Sequence, residues 1–349
     1  MKLKKILCLL LCLALTCPFV SCGRHQEKSE DLSLTMNRGE PFKIVQFADL
    51  HFGKEGESYH NADEARTIEF MTCLVESERP DLIVLSGDNI MNTGVEGIKE
   101  LIRIMDAYQT PYTFIFGNHD AESSLKGYCK RDVSDYLENS DSPYLLYRSG
   151  YVEDTAENRY GNFSISLTDA ETGDLIGALV MIDTGTYDYA AGRYQSITEG
   201  QIAWYKSEIG RLNGIYSKQK NNEHEIVPTL TYGHMQLKEL FIAYQKAENG
   251  DGAAFVYDQK LNGWMSNTVL GEAGTEPSPF YTAMKEMRSA KAYLCGHMHG
   301  LFYHVKMDGI LLGFCPQIGV SSNSGRKCKT FVYSFDESFS PSLRLAEES

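Results

Sequence analysis

PFKIVQFADLHFG (residues 41–53) and PDLIVLSGDN (residues 80–89) are the stretches whose reading decides the fold. Each is a short apolar run that stops on a turn carrying Asp. Residues 42–48 read as a strand, and residues 81–86 as a strand buried on both faces, because the run is continuously apolar. Between them, Ala65, Ile68, Met71, Thr72 and Val75 recur at helical spacing within 62–78. The pattern then repeats: Val95, Ile98, Leu101, Ile102 and Met105 share a helical face within 95–108, and 112–116 is another buried strand. The order β-α-β-α-β, with short strands, predicts an α/β sheet.

Further strands are expected at 162–167, 175–182, 226–232, 292–295, 310–314 and 331–335. Helices are expected at 198–212, opened by a Thr198 cap, and at 279–288. The stretches 121–160, 184–197 and 248–278 are long, polar and rich in Tyr and Gly, and read as loops at a functional rim. No domain boundary is visible after residue 40.

The chain has 349 residues, 42% hydrophobic and 23% charged, enough apolar material for a sizeable core. Its formal charge of -14 repels phosphate backbones and excludes an extended nucleic-acid surface. Residues 1–21 read as a lipoprotein signal peptide: Lys2, Lys4 and Lys5 precede an apolar run too short for a bilayer span. Val20-Ser21-Cys22-Gly23 resembles a bacterial lipobox, in which Cys22 is diacylated and becomes the new N-terminus. Removing residues 1–21 removes three lysines and no acid, taking the charge from -14 to -17. Residues 22–40 then form a flexible tether, 41–339 the domain and 340–349 a tail. The expected location is the bacterial cell envelope, with membrane attachment through the lipid only. Beyond Cys22, Cys73, Cys129, Cys295, Cys315 and Cys328 show no CxxC spacing and read mostly as buried thiols.

Five segments each follow a predicted strand: Asp49-Leu50-His51, Gly87-Asp88-Asn89, Gly117-Asn118-His119-Asp120, Gly233-His234 and Gly296-His297-Met298-His299. In α/β sheets the loops beyond the carboxyl ends of strands converge on one crevice. Alternation puts both side chains of Asp-x-His or His-x-His on one side of an extended segment. Asp49, His51, Asp88, Asn118, His234, His297 and His299 offer the carboxylate, imidazole and amide donors that borderline divalent metals accept. Seven donors are too many for one tetrahedral ion and suit two ions sharing a carboxylate. Such a centre is a small positive island on an acidic protein, and attracts a phosphoryl group. Asp183 reads as a loop-capping carboxylate, and His25, His60, His224 and His304 as surface or structural residues. Arg193, Tyr194 and Glu272 lie in the long loops without a spacing rule to assign them, and the loop aromatics read as packing.

The series FADLHFG, LSGDN, FGNHD, YGHMQ and LCGHMHG resembles the calcineurin-like metallophosphoesterase superfamily, in the branch related to purple acid phosphatases. The resemblance runs from Lys43 to Phe335. It implies a four-layer α/β/β/α sandwich with the dimetal site at the carboxyl ends of the strands. It implies that Asp49, His51 and His299 hold one divalent ion (Mn, Fe or Zn) and that Asn118, His234 and His297 hold the other, with Asp88 bridging. His119 would face the leaving-group oxygen, with Asp120 orienting it. Purple enzymes carry a ligand Tyr three residues after the bridging Asp; Met91 stands there, so no ferric-tyrosinate centre is expected. The implied reaction is hydrolysis of phosphate esters, a water activated between the ions attacking phosphorus in line. A phosphomonoesterase acting on a small molecule or phosphoprotein is the leading reading. A phosphodiesterase or nucleotide hydrolase on the same core, and a non-catalytic surface-binding lipoprotein, are the alternatives.

Overall fold

The computed structural model describes residues 31–348 apart from 54–60, 62, 92, 121–128, 154–157, 189, 191, 259–277, 300 and 320–326. The signal segment, Cys22, His25, His60 and Glu272 therefore lie outside the described residues. The first strands are β1 (Ser33–Met36), β2 (Phe42–Phe47), β3 (Phe52–Gly53), β4 (Leu82–Ser86), β5 (Ile90–Met91), β6 (Tyr112–Ile115), β7 (Leu145–Leu146) and β8 (Tyr151–Glu153). Helices α1 (Glu64–Glu78), α2 (Gly94–Asp106) and α3 (Lys130–Glu138) alternate with them. The second half holds β9 (Arg159–Asp169), β10 (Leu175–Met181), β11 (Tyr187–Asp188), β12 (Arg193–Tyr194), β13 (Thr229–Tyr232) and β14 (Ala254–Asp258). It closes with β15 (Ala290–Cys295), β16 (Tyr303–Met307), β17 (Ile310–Phe314), β18 (Lys329–Phe335) and β19 (Ser342–Glu347). Its helices are α4 (Glu199–Gln219), α5 (Glu239–Asn249) and α6 (Pro279–Met287).

Two sheets carry the fold, one in the order β19-β18-β2-β4-β6-β7 and the other β1-β9-β10-β13-β15-β17-β16-β14, with β8 beside β9. The pairs β2–β4, β4–β6, β10–β13, β13–β15 and β15–β17 are parallel, so their carboxyl ends point one way within each sheet. Period-2 alternation along the larger sheet sorts its side chains between two cores. Leu179, Met181, Leu230, Tyr232, Leu294 and Leu311 pack with Ile44, Phe47 and Val84 of the smaller sheet. Their neighbours Val180, Ile182, Tyr293, Cys295 and Leu312 pack with Tyr205, Phe241 and Met284 of α4, α5 and α6. Helices α1 and α2 cover the outer face of the smaller sheet through Met71, Val75, Ile98 and Met105. The result is the four-layer α/β/β/α sandwich, and full burial of each such Leu, Ile or Val contributes about 1.5–3 kcal/mol. The long α4 starts where a capping box forms: Thr198 Oγ1 accepts from Gln201 N (3.1 Å), and Gln201 Oε1 accepts from Thr198 N (3.0 Å).

Several boundaries differ from the sequence reading: the stretches 184–197 and 248–278, read as loops, contain β11, β12 and β14, and α5 and β16 stand where no element is expected. The segment read as a tether contains β1, whose Ser33–Met36 pair in parallel with Ser166–Asp169 of β9. Leu34 and Met36 alternate with polar residues, and this period-2 pattern is enough to occupy the edge of the larger sheet. The segment read as a tail supplies β19, which closes the edge of the smaller sheet against β18. The stretch 121–160, read as loop, contains α3, β7 and β8. Among the described residues, no helix is long and apolar enough to cross a membrane.

Candidate metal centre

The turns after β2, β4, β6, β13 and β15 meet at the carboxyl ends of the strands. They meet through hydrogen bonds in their own backbone: Asp49 N donates to Gly87 O, His51 N to Asp88 O and Gly296 N to His234 O. Asp49 (φ 57°), His51 (φ 51°), Asp88 (φ 51°) and His297 (φ 72°) all adopt left-handed backbone. Such conformations cost about 1–3 kcal/mol each where the surroundings do not enforce them, and they concentrate at functional sites. The glycines beside them are spacing devices. A Cβ on Gly117 would fall on Asp88, and a Cβ on Gly87 would fall on the His234 ring.

The side chains assemble into two groups that share Asp88. Asp49, His51, Asp88 and His299 place one donor atom each within 4.8 Å of one another, and so do Asp88, His234 and His297. His51 Nε2 faces His299 Nε2 at 3.0 Å, and His299 Nε2 lies 3.5 Å from Asp49 Oδ1. His234 Nε2 lies 3.2 Å from Asp88 Oδ2, while its Nδ1 is held by Ser86 O at 3.0 Å. Asp49 accepts from His297 N at 3.1 Å, which fixes the first residue of the His-x-His turn. Asn118 is buried on the turn after β6. Asp88 is the residue common to both groups. His119 N donates to Asp88 Oδ1 (2.8 Å), and its Nε2 lies 3.9 Å from Asp88 Oδ2 with the side chain 18% exposed, at the mouth.

Burial sets the protonation states. It drives the pKa of His51 and of His297 down to about 3, so both are neutral and carry a lone pair at pH 7. Burial also opposes charge on His234, but Asp88 and then Asp49 outweigh it and lift that ring to about 9. Burial penalises the carboxylates of Asp49 and Asp88 as well; His299 in the first case and His234 with His119 in the second still hold them below the usual range. The donors suit divalent ions on two counts. Among the described residues, Asn118 Oδ1 is buried without a hydrogen-bond partner. Every ion-pair partner described for Asp49 and Asp88 is a histidine, so no Lys or Arg takes the place of a metal.

Asp120 and Asp183 have supporting places. Asp120 accepts from Asn89 N (2.8 Å), Ile90 N (2.9 Å), Gly117 N (2.6 Å) and Asn89 Nδ2 (3.3 Å). These four donors, none of them the His119 imidazole, make the carboxylate a staple between the Asp88 and Gly117 turns rather than the orienting partner expected for His119. Burial, and then the Asp88 charge, push Asp120 up to about 6. Asp183 caps its loop through Gly185 N (2.9 Å), as expected, and also pairs with Lys130 Nζ at 2.8 and 3.0 Å, both side chains fully buried. Lys130 opens a helix inside a stretch that reads as loop from sequence; Val133 and Leu137 at i, i+4 are the signal for it. His304 is structural, its Nε2 2.9 Å from Tyr333 Oη, and His224 is exposed. Cys295, Cys315 and Cys328 are buried, whereas Cys73 and Cys129 are exposed.

Two ion-sized donor groups that share one carboxylate define a class, the dinuclear metallohydrolases. The chain belongs to the calcineurin-like phosphoesterase family, whose model matches residues 42–301. This is a family of hydrolases of phosphoric esters that use a dinuclear metal centre. The chain is similar to "Probable inactive purple acid phosphatase 29" of Arabidopsis thaliana, 27% identical over 282 residues, covering 74% of this chain and 67% of that one. Two further Arabidopsis relatives are matched over 58% and 72% of their lengths. "Phosphatase DCR2" of Saccharomyces cerevisiae is 31% identical over 163 residues, 42% of this chain and 27% of that one. Among solved structures, purple acid phosphatase PPD1 of yellow lupin matches with a TM-score of 0.47 and 12% identity, over 88% of this chain and 52% of that one.

Proposed function

We propose that the chain is a metal-dependent phosphomonoesterase in which Asp49, His51 and His299 hold one divalent ion, Asn118, His234 and His297 the other, and Asp88 both. The observation that carries this reading is the pair of donor groups joined at Asp88, with His119 beside them at the mouth. When bound, two such ions polarise phosphoryl oxygens and lower the pKa of water. The chain's own residues do the rest. Asp88 accepts from His119 N and so fixes the imidazole's backbone next to the donors. His119 supplies a proton to the departing ester oxygen. Asp120 keeps the Asp88 and Gly117 turns in register through its four hydrogen bonds.

The monoester preference is supported by the word phosphatase in the names of the relatives. The word inactive in some of those names belongs to those proteins; here all seven proposed ligands and His119 are present. The test is release of phosphate from an aryl monophosphate and a bis-aryl phosphate by protein stripped of metal and reloaded separately with Mn, Fe or Zn. Faster turnover of the monoester is expected; turnover of neither under any loading overturns the hydrolase reading. The same reading includes export and lipid anchoring at Cys22. Radiolabelled palmitate should enter the chain and fail to enter Cys22→Ser, and equal labelling of both would remove the anchor.

A further inference from the structure

Strands β11 and β12 form a small hairpin over the centre, with Tyr187 opposite Tyr194 and Asp188 opposite Arg193. Gly192 N donates to Asp188 O (2.8 Å) and Gln195 N to Thr186 O (2.9 Å), closing it at both ends. Its base is clamped by Arg159, which is fully buried: Nη1 donates to Gln195 Oε1 (2.6 Å) and Nη2 to Ser196 O (3.1 Å). The loop passes so close to this guanidinium that a Cβ on Gly185 (φ +92°) would lie 2.7 Å from its nitrogens. Thr184 Oγ1 accepts from Met235 N (2.9 Å), tying the same loop to the turn that carries His234.

This bracing delivers one ring to the centre. Tyr194 meets His297 edge to face, ring centroids 4.8 Å apart and planes at 84°, and Tyr187 packs on Tyr194 at 5.0 Å and 81°. His297 in turn belongs to the donor group of Asp88 and His234. Tyr194 is half-buried. Arg193 stands opposite Asp188, so the hairpin adds aromatic surface without net charge.

We propose that Tyr194 is a specificity-determining residue: it forms a wall of the substrate site and contacts the organic part of the ester, selecting leaving groups with a planar, apolar face. Offset or edge-on aromatic contacts contribute about 0.5–1.5 kcal/mol beyond area burial, roughly a tenfold preference at most. The inference rests on the phosphoesterase reading, but its test reads binding. The full chain loaded with Mn²⁺ is titrated calorimetrically with phenylphosphonate and with methylphosphonate, neither of which turns over. The wild type should bind phenylphosphonate several-fold more tightly, up to about tenfold. Tyr194→Phe should keep that ratio, and Tyr194→Leu should bring it within about twofold while leaving methylphosphonate affinity unchanged. Equal binding of the two phosphonates by the wild type overturns the proposal without need of any variant. So does an undiminished ratio in Tyr194→Leu, or an equal weakening of both phosphonates, which would make Tyr194 a support for His297. A phenyl preference in a protein that hydrolyses nothing supports the wall and sinks only the hydrolase reading; turnover without the preference does the reverse.

Discussion

Two clusters of buried carboxylates lie at the strand ends, and they are neutralised in opposite ways. Asp183 meets the ammonium of Lys130, which sits 5.2 Å from the Phe116 ring centroid and is as buried as its partner. Among the described residues, the ion-pair partners of Asp49 and Asp88 are all imidazoles. Taking an ion out of water costs several kcal/mol, so a buried carboxylate requires a compensating charge. At Asp183 the chain supplies it as an ammonium; at Asp49 and Asp88 it supplies imidazoles, and the carboxylates and imidazoles together form groups that could hold metal ions. Burial alone therefore does not distinguish the two carboxylate environments, whereas the partner does: an ammonium at Asp183, imidazoles at Asp49 and Asp88.

The sharpest break would come from Asp88→Asn, which removes the charge common to both donor groups. Metal content by elemental analysis should fall below about one ion per chain, and turnover should drop by more than the ~10³-fold lost with a single electrostatic donor. Two retained ions would show that Asp88 is no more essential than Asp183. His119→Ala should lower kcat by about 10²–10⁴-fold on an alkyl monophosphate with both ions retained, since it removes a proton donor and no ligand. An unchanged rate would take His119 out of the reaction.

On the other side of the comparison, Lys130→Met leaves Asp183 charged and buried, and should cost about 3–5 kcal/mol in denaturant unfolding. Adding Asp183→Asn should restore at least half of that loss, with metal content unaltered throughout. Loss of metal in the double variant would merge the two clusters into one. The smallest effect is at a pair in which only Arg38 is exposed. Arg38, by its hydrogen bond, and then the amides of Thr172 and Glu171 hold the Asp169 carboxyl at about 2, below its usual 3.8. The stability this confers is complete above pH 3.8 and is lost as pH falls through about 2. In chelator, Asp169→Asn should melt slightly below the wild type at pH 6, and the gap should close toward pH 2. A gap that stays constant would mean that charge at Asp169 is irrelevant.

The two clusters also differ in how far they could be read from sequence. The metal-centre turns announce themselves because each follows a strand buried on both faces, as Leu82–Ser86 precedes Gly87-Asp88, and because their residue types match the ligand chemistry. Amphipathic helices such as Gly94–Asp106 were equally legible, with Ile98, Leu101, Ile102 and Met105 on the buried side. The Lys130–Asp183 pair was not legible, since a lysine beside Arg131 and Asp132 reads as a solvated run until tertiary structure pulls it inward. Strands β1 and β19 are hard to read from sequence because their alternation is short and flanked by charge. Tyr194 could not be assigned because cross-strand register and the buried Arg159, both long-range features, aim its ring.

The left-handed turns at Asp49, His51, Asp88 and His297 narrow the alphabet of this centre. Asp, Asn and His are the residues that side-chain chemistry and this backbone region both favour. Glu binds the same ions, yet at positions 49 and 88 it would have to fit a conformation it seldom adopts. Transplanting the centre into another scaffold therefore means carrying over the bent backbone that presents the ligands; a donor set grafted onto regular strand ends would have the right atoms aimed in the wrong directions.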